Sequence, residues 1–324
     1  MLLEAEMARQ HEDATRSIDG NAAIAATVAA SIARHGRLLM LGMGASHYAN
    51  RIVEPLYRTR GVEAWAATSA DFLEAPIRAD DRTALVVSQS GESGEVPHLI
   101  KSLSGGEAFG LTLDPASTLG RSLPCLVGAG GGEVAFAATR SLFVTLALHG
   151  AILSALGNGA SLSIPPSSIP PLDAAHAALA GKATIAVSGQ GPFRGAAEAA
   201  ALMLMELGRL PALGFELGQF RHGPLELLSP NMGVVLLRDP DTDGAAFANV
   251  ARAALDAGAA TIVVDCSDAA SIEGAITLRF PTARGLLAVL GVLPALQRLV
   301  VETAATRVER VGEPLRSTKI TRSA

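Results

Sequence analysis

The chain has 324 residues, enough for two domains of ordinary size, with 49% hydrophobic residues, 18% charged residues and 33 glycines. This composition excludes a disordered or collagen-like chain and describes an Ala/Gly/Leu/Val-rich α/β protein. A formal charge of −5 without a run of Lys or Arg leaves no electrostatic footprint for nucleic acid or an anionic membrane, so neither is expected as a partner.

Residues 1–18 set acids, Arg and His among Leu and Met at helical spacing, which predicts an amphipathic leading helix and neither a signal peptide nor an anchor. Short apolar runs then alternate with helical patterns, the signature of βα units on a parallel sheet. Strands are expected at 37–42, 63–67, 83–88, 108–112 and 124–127, with helices at 46–59, 94–103 and 137–156. From Ser161 to Pro171, four prolines and four serines break every periodicity, and the segment reads as a linker. The pattern then restarts, with strands at 183–188, 233–237, 261–265 and, more weakly, 276–280, and helices at 193–207, 245–256 and 285–303. The longest apolar stretch, 285–299, is expected to be a buried helix rather than a membrane span. Leu38-Leu-Met-Leu-Gly-Met-Gly44 is echoed by Thr184-Ile-Ala-Val-Ser-Gly-Gln-Gly191, each followed by a helix, so a duplicated fold is expected. Its halves are 1–160 and 172–324, joined by 161–171. Cys125 and Cys266 lie far apart in apolar strand-like runs and read as reduced core residues, hence a cytoplasmic protein.

Ser88-Gln-Ser-Gly-Glu-Ser93 stands where a buried strand is expected to end and a helix to begin, a place with free N–H groups and partial positive charge. Hydroxyls and an amide add neutral donors, and Gly91 lets the backbone approach, so the turn can hold a phosphate monoester without Lys or Arg. The plainer reading is a helix N-cap, which one serine would satisfy. Gly42-Met-Gly-Ala-Ser-His47 is a second strand-to-helix turn, adjacent in a doubly wound sheet, whose Ser46 would complete the cradle. It lacks the third glycine and the acidic strand end of a dinucleotide site, so no nicotinamide cofactor is expected. Glu206 closes a helix with otherwise apolar faces and is either a partly desolvated general base or an ordinary surface acid. Phe215-Glu-Leu-Gly-Gln-Phe-Arg-His-Gly-Pro224 reads as a loop, in which His222 is the best proton-transfer candidate. The other histidines weighed, His11, His35, His98, His149 and His176, fall on helix faces or ends, where solvation or capping is expected. Lys319, near the polar C-terminus, reads by itself as a solvated lysine on a tail able to close over a site. With no Cys cluster, HExxH or paired His at ligand spacing, no metal is expected.

Taken together, the leading helix at 3–10, the GxGxS turn at 42–46, the SQSGES segment, Glu133 before Ala137-Ala-Thr-Arg140, the ELG and GQFRHGP blocks and the tail lysine resemble the double sugar-isomerase (SIS) domain family. The resemblance is to the isomerase half of glucosamine-6-phosphate synthase and its stand-alone relatives. It implies two tandem doubly wound parallel-sheet subdomains of the three-layer, flavodoxin-like kind. It also implies that Ser46, Ser88, Gln89, Ser90 and Ser93 bind phosphate and sugar hydroxyls, with Ala45 and Phe136 beside the sugar. Glu206 then matches the base moving a proton between C1 and C2, and His222 the histidine that assists ring opening across a homodimer interface. Lys319 matches the tail lysine that contacts the open-chain sugar.

Two positions depart from the family pattern. Met203 stands where the synthases carry a lysine one turn before the base, and Phe136 replaces a small aliphatic residue. Met1-Leu2 offers no N-terminal cysteine nucleophile, so ammonia production from glutamine is not expected of this chain alone. The expected activity is isomerisation of a 6-phosphorylated amino sugar or glycated amine with release of nitrogen, as a deaminase or deglycase. The alternatives are a simple aldose–ketose phosphosugar isomerase and a sugar-phosphate sensor without turnover.

Overall fold

The computed structural model describes residues 2–157 and 162–322. The chain divides into unit 1, Met1–Ile164 with Leu315–Ala324, and unit 2, Pro165–Pro314. The expected start of the linker, Ser161, lies outside the described residues; 162–171 has no helix or strand, as its prolines dictate.

Unit 1 runs α1 (Leu2–Gly20), α2 (Ala22–His35), β1 (Arg37–Gly42), α3 (Gly44–Arg58), β2 (Glu63–Thr68), α4 (Ser69–Glu74), β3 (Thr83–Val87), α5 (Val96–Ser102), β4 (Glu107–Thr112), α6 (Thr118–Ser122), β5 (Cys125–Val127) and α7 (Arg140–Leu156). Its five parallel strands are ordered β2-β1-β3-β4-β5. The central strands β1 and β3 are buried almost throughout, which is why they read as unbroken apolar runs rather than alternating ones. Helix α7 is buried on every face from Arg140 to Leu153 and packs against α1, α2 and α3. Arg140, fully enclosed, ties α1 down: its Nε meets Glu6 Oε2 at 2.5 Å and its Nη1 meets Asp13 Oδ2 at 3.2 Å. Burial works to raise the Glu6 carboxyl's pKa, but the Val134 N–H and the Arg140 guanidinium hold it below its ordinary value.

Unit 2 runs α8 (Asp173–Leu179), β6 (Thr184–Gly189), α9 (Pro192–Gly208), β7 (Ala212–Glu216), α10 (Leu217–Arg221), a 3-10 turn (Pro224–Leu227), β8 (Met232–Arg238), α11 (Gly244–Asp256), β9 (Ala260–Asp265), β10 (Ile276–Arg279) and α12 (Gly285–Ala305). Its strand order, β10-β9-β8-β6-β7, is that of unit 1 read from the other edge. Both sheets therefore have the 2-1-3-4-5 order of a flavodoxin-like, doubly wound fold. Helix α12 is long and apolar enough to cross a membrane, yet 72% of that stretch is buried inside the fold, against α9 and α8.

Several expectations are corrected. The segment expected as a loop from Phe215 to Pro224 is the end of β7, the short helix α10 and the start of the 3-10 turn. Gly214 makes β7 possible, because a Cβ there would lie 2.5 Å from the Cα of Glu198 on α9. Glu216 starts α10 by accepting the Gln219 N–H at 2.8 Å. Helix α5 begins at Val96, later than residue 94, and the Gly94 N–H before it donates to the Thr321 carbonyl at 3.0 Å. That bond also holds the tail, which belongs with unit 1 although it follows unit 2 in sequence.

Candidate functional site

In a 2-1-3-4-5 sheet the crevice opens where the strand order reverses, beyond the carboxyl ends of the first and third strands. In unit 1 these are β1 and β3, followed respectively by the turn Gly42–Ser46 and the segment Ser88–Ser93. Gly42 brings the two turns together: a Cβ there would lie 3.1 Å from both the Ser46 carbonyl carbon and the Val87 oxygen. Ser46 and Ser88 are buried at 7% and 5% exposure, so their hydroxyls are withdrawn from bulk water. Ala45 precedes Ser46 in the first turn of α3.

The cradle is a tight turn rather than the direct start of a helix. The Gly91 N–H reaches Ser88 Oγ at 3.1 Å, the Glu92 N–H reaches Ser90 Oγ at 3.2 Å, and Ser88 Oγ lies 3.3 Å from Ser93 Oγ. Gly91 is required here, with φ +64° and a virtual Cβ only 2.0 Å from Ser117 Oγ. The carboxylate of Glu92 turns away to accept the Thr118 N–H at 2.6 Å and the Thr118 hydroxyl at 3.1 Å, which fixes the start of α6 and removes a negative charge from among the serines. Three hydroxyls thus gather on a neutral turn, an arrangement suited to a phosphate dianion.

Glu133 organises the other side. It is 8% exposed and accepts the Thr139 hydroxyl at 2.6 Å, the Thr139 and Arg140 N–H groups at 3.0 Å each and the Ser141 N–H at 3.3 Å, thereby capping α7. The Ser141 hydroxyl touches the same carboxylate and lies 2.8 Å from Gln89 Oε1. The tail arrives here too. Lys319 Nζ donates to the Phe136 carbonyl at 3.2 Å and stands 3.6 Å from Glu133 Oε2, so its ammonium has protein partners although the residue is exposed. Phe136 therefore touches the tail through its backbone, a contact its side-chain identity does not reveal. Ser141 and the organising role of Glu133 escaped sequence reasoning; a Glu six residues before a Thr-Arg-Ser helix start was the available signal.

Glu206 and His222 belong to unit 2. Glu206 is half-buried near the end of α9, and His222 is exposed just after α10, where its N–H bonds the Gln219 carbonyl at 3.1 Å. Met203, one turn before Glu206, is buried at 3% exposure. Among the other histidines, His149 is corrected from a solvated or capping position. It is fully enclosed in α7, 3.2 Å from the Tyr57 hydroxyl, and burial pushes its pKa down to about 3. Both cysteines are free, and burial raises the thiols of Cys125 and Cys266 to about 11 and 12. Among the described residues no group of three His, Cys, Asp or Glu side chains is placed to hold a metal.

No family profile matches the chain. Glutamine–fructose-6-phosphate aminotransferase (isomerizing) from Bradyrhizobium diazoefficiens is 24% identical over 310 residues, an alignment covering 86% of this chain and 50% of that protein. The chain thus spans about half the length of the curated relative it matches. The C-terminal domain of glucosamine–fructose-6-phosphate aminotransferase from Francisella tularensis superposes with a TM-score of 0.82 at 16% identity, covering 95% of this chain and 96% of that one. Tagatose-6-phosphate ketose/aldose isomerase from Escherichia coli gives 0.78 at 18% identity, covering 98% and 97%. Glucosamine-6-phosphate deaminase from Thermotoga maritima gives 0.75 at 16% identity, covering 99% of each chain. Strand order in both sheets and these likenesses give the chain the two-sheet α/β fold of the C-terminal domain of glucosamine–fructose-6-phosphate aminotransferase and of the phosphosugar isomerases it resembles.

Proposed function

We propose that the chain is a phosphosugar isomerase acting on a 6-phosphorylated amino sugar or glycated amine, as a deaminase or deglycase. The observation that carries this reading is the neutral, hydroxyl-lined turn Ser88–Ser93 at the topological switch point of unit 1, with Ser46 on the neighbouring turn. Such a turn holds phosphate through N–H and O–H donors and leaves the sugar carbons free for proton transfer. In this reading His222 assists ring opening and Glu206 moves the proton between C1 and C2. The Lys319 amine takes the open-chain carbonyl, releasing water as the imine forms. We assign the working form to a cytoplasmic homodimer in which His222 serves the neighbouring subunit's site.

The test is turnover by Glu206→Gln on glucosamine 6-phosphate and fructosamine 6-phosphates, followed by ammonia, amine and ketose release. The account expects kcat to fall by about 100-fold or more, the usual worth of a positioned general base. Near wild-type turnover would contradict it. A ketose product without nitrogen release would select the simple isomerase, in keeping with the likeness to tagatose-6-phosphate isomerase. Buried Met203, in place of a cation beside the base, favours a second reading as a non-catalytic sugar-phosphate sensor, which binding without turnover would establish.

A further inference from the structure

Helices α3 and α7 pack against each other in unit 1, and both bury polar side chains completely: Asn50 and Tyr57 on α3, Thr145 and His149 on α7. The Tyr57 hydroxyl lies 3.2 Å from His149 Nδ1, which fixes how the two helices face each other. Asn50 comes two turns before Tyr57 and Thr145 one turn before His149, spacings that keep each on the same helix stripe as the residue in contact. Both helices start at the carboxyl end of the sheet, α3 after β1 and α7 where Ser141 reaches Gln89. Asn50 and Thr145 therefore lie on the same side of the Tyr57–His149 contact, in one seam.

This seam holds more donors than its protein groups accept. Burial pushes the His149 pKa down to about 3 and raises that of Tyr57, so the ring carries one proton and the phenol keeps its own. Their mutual bond uses one of these two protons. Whichever tautomer forms, the other, on His149 Nε2 or on the Tyr57 oxygen, is unspent. Among the described residues, His149 Nε2, Thr145 Oγ1 and both amide atoms of Asn50 meet no hydrogen-bond partner. Buried donors on neighbouring residues are rarely left unpaired in a native fold, so the seam calls for an acceptor that is not protein. A metal cation is repelled by N–H and O–H donors, and an anion would bring a bare charge among neutral groups. Water supplies two lone pairs and two protons without charge, and it can also serve the oxygens of Asn50 and Thr145.

We infer that the α3–α7 seam is an internal hydration site, in which ordered water bridges Asn50, Thr145 and the Tyr57–His149 pair. The site is independent of the phosphate reading. It gives a reason for Thr145 and His149 in the core of a helix otherwise filled with Leu, Val, Phe, Ile and Ala. Ser46 stands one turn before Asn50, so the hydrated stripe begins at the crevice turn. The bridge ties the helix that carries Ser46 to the helix that Glu133 caps.

A high-resolution crystal structure of the wild-type protein tests this directly. Ordered water is expected within hydrogen-bond distance of the Asn50 amide, of Thr145 Oγ1 and of His149 Nε2 or the Tyr57 hydroxyl. Direct pairing of these side chains with one another, or a seam without density, overturns the inference. Substitution supplies an independent sign. Thr145→Val keeps the side chain's shape and removes its hydroxyl, so loss of a water-bridged hydroxyl lowers the folding equilibrium constant about fivefold, whereas loss of a dry orphan raises it. Asn50→Leu is expected to act in the same direction, and the double variant to lose little more than the larger single loss, because both changes break one bridge. A stability gain in Thr145→Val, or fully additive losses, contradicts the inference. If Asn50→Leu does not fold, nuclear Overhauser contacts between water and the Asn50 amide protons of the wild type replace it: a long-lived water there supports the site, and no contact overturns it.

Discussion

Units 1 and 2 share a strand order, yet the turn after the third strand differs completely between them. Ser88–Ser93 presents hydroxyls and an amide, and its one carboxylate, Glu92, is turned away to α6. The matching turn of unit 2 carries Asp239, Asp241 and Asp243. Asp239 accepts the Thr242 hydroxyl at 2.9 Å and the Asp241 N–H at 3.1 Å, while Asp243 caps α11 through the Ala245 N–H at 3.0 Å. Asp241 is paired with Arg284. Unit 2 thus spends its turn carboxylates on its own backbone and on Arg284, and its one hydroxyl, that of Thr242, on Asp239. The topology supplies a crevice twice, and the turn chemistry differs between them, hydroxyls in unit 1 and carboxylates in unit 2.

The buried arginines give the sharpest way to separate the units. Arg140→Met leaves the buried carboxylates of Glu6 and Asp13 only the longer, exposed pairings with Arg9 at 3.4 and 3.7 Å and Arg16 at 3.7 Å, and is expected to destabilise unit 1 by about 3 kcal/mol. Arg238→Met is expected to cost unit 2 less, because Arg279 remains 2.5 Å from Asp265. Denaturant melts of both variants check the order. Equal losses would show that the two networks carry equal loads.

The turn glycines come next. Gly91→Ala forces a Cβ into Ser117 at φ +64° and is expected to cost about 2 kcal/mol and to weaken phosphate binding. Gly244→Ala, in the first turn of α11, meets nothing within 4 Å and is expected to be neutral or slightly stabilising. Thermal melts of the pair read the difference.

The effect that is smallest near neutrality is in pH. The folded pKa of His149 is about 3, below that of the unfolded chain, so the unfolded state binds the proton first. Unit 1 should therefore lose stability as pH falls below about 6.5, by at most about 1.4 kcal/mol per pH unit, until about 3. The half-buried His11, also lowered by burial, adds in the same direction. His149→Gln is expected to flatten the acid limb of the stability curve. An unchanged limb would refute this assignment.

Much of this architecture was legible in the sequence because buried parallel strands such as 38–41 and 84–87 are continuous apolar runs followed by glycine or serine. Helix α2 was not, since Ala22-Ala-Ile-Ala-Ala-Thr offers little contrast between faces, and α4 and α6 span six and five residues, too short for a period to show. Strand β7 was hidden by Gly214, which reads as punctuation but exists for contact with α9. The cradle was readable as a local motif. The link from Lys319 through Glu133 and Ser141 to Gln89 was not, because it joins residues 230 positions apart through side chains whose partners only the fold reveals.

The central claim, that the turn in unit 1 binds the phosphate of a sugar, is tested most directly by calorimetric titration of wild type and the Ser88→Ala/Ser90→Ala variant. The ligands are glucosamine 6-phosphate, fructose 6-phosphate and their unphosphorylated sugars. The account predicts that wild type binds only the phosphorylated compounds and that the double variant loses about 100-fold in affinity, two hydrogen bonds to a charged group at about 1.5 kcal/mol each. Equal binding by both proteins, or equal binding of sugars with and without phosphate, would contradict it.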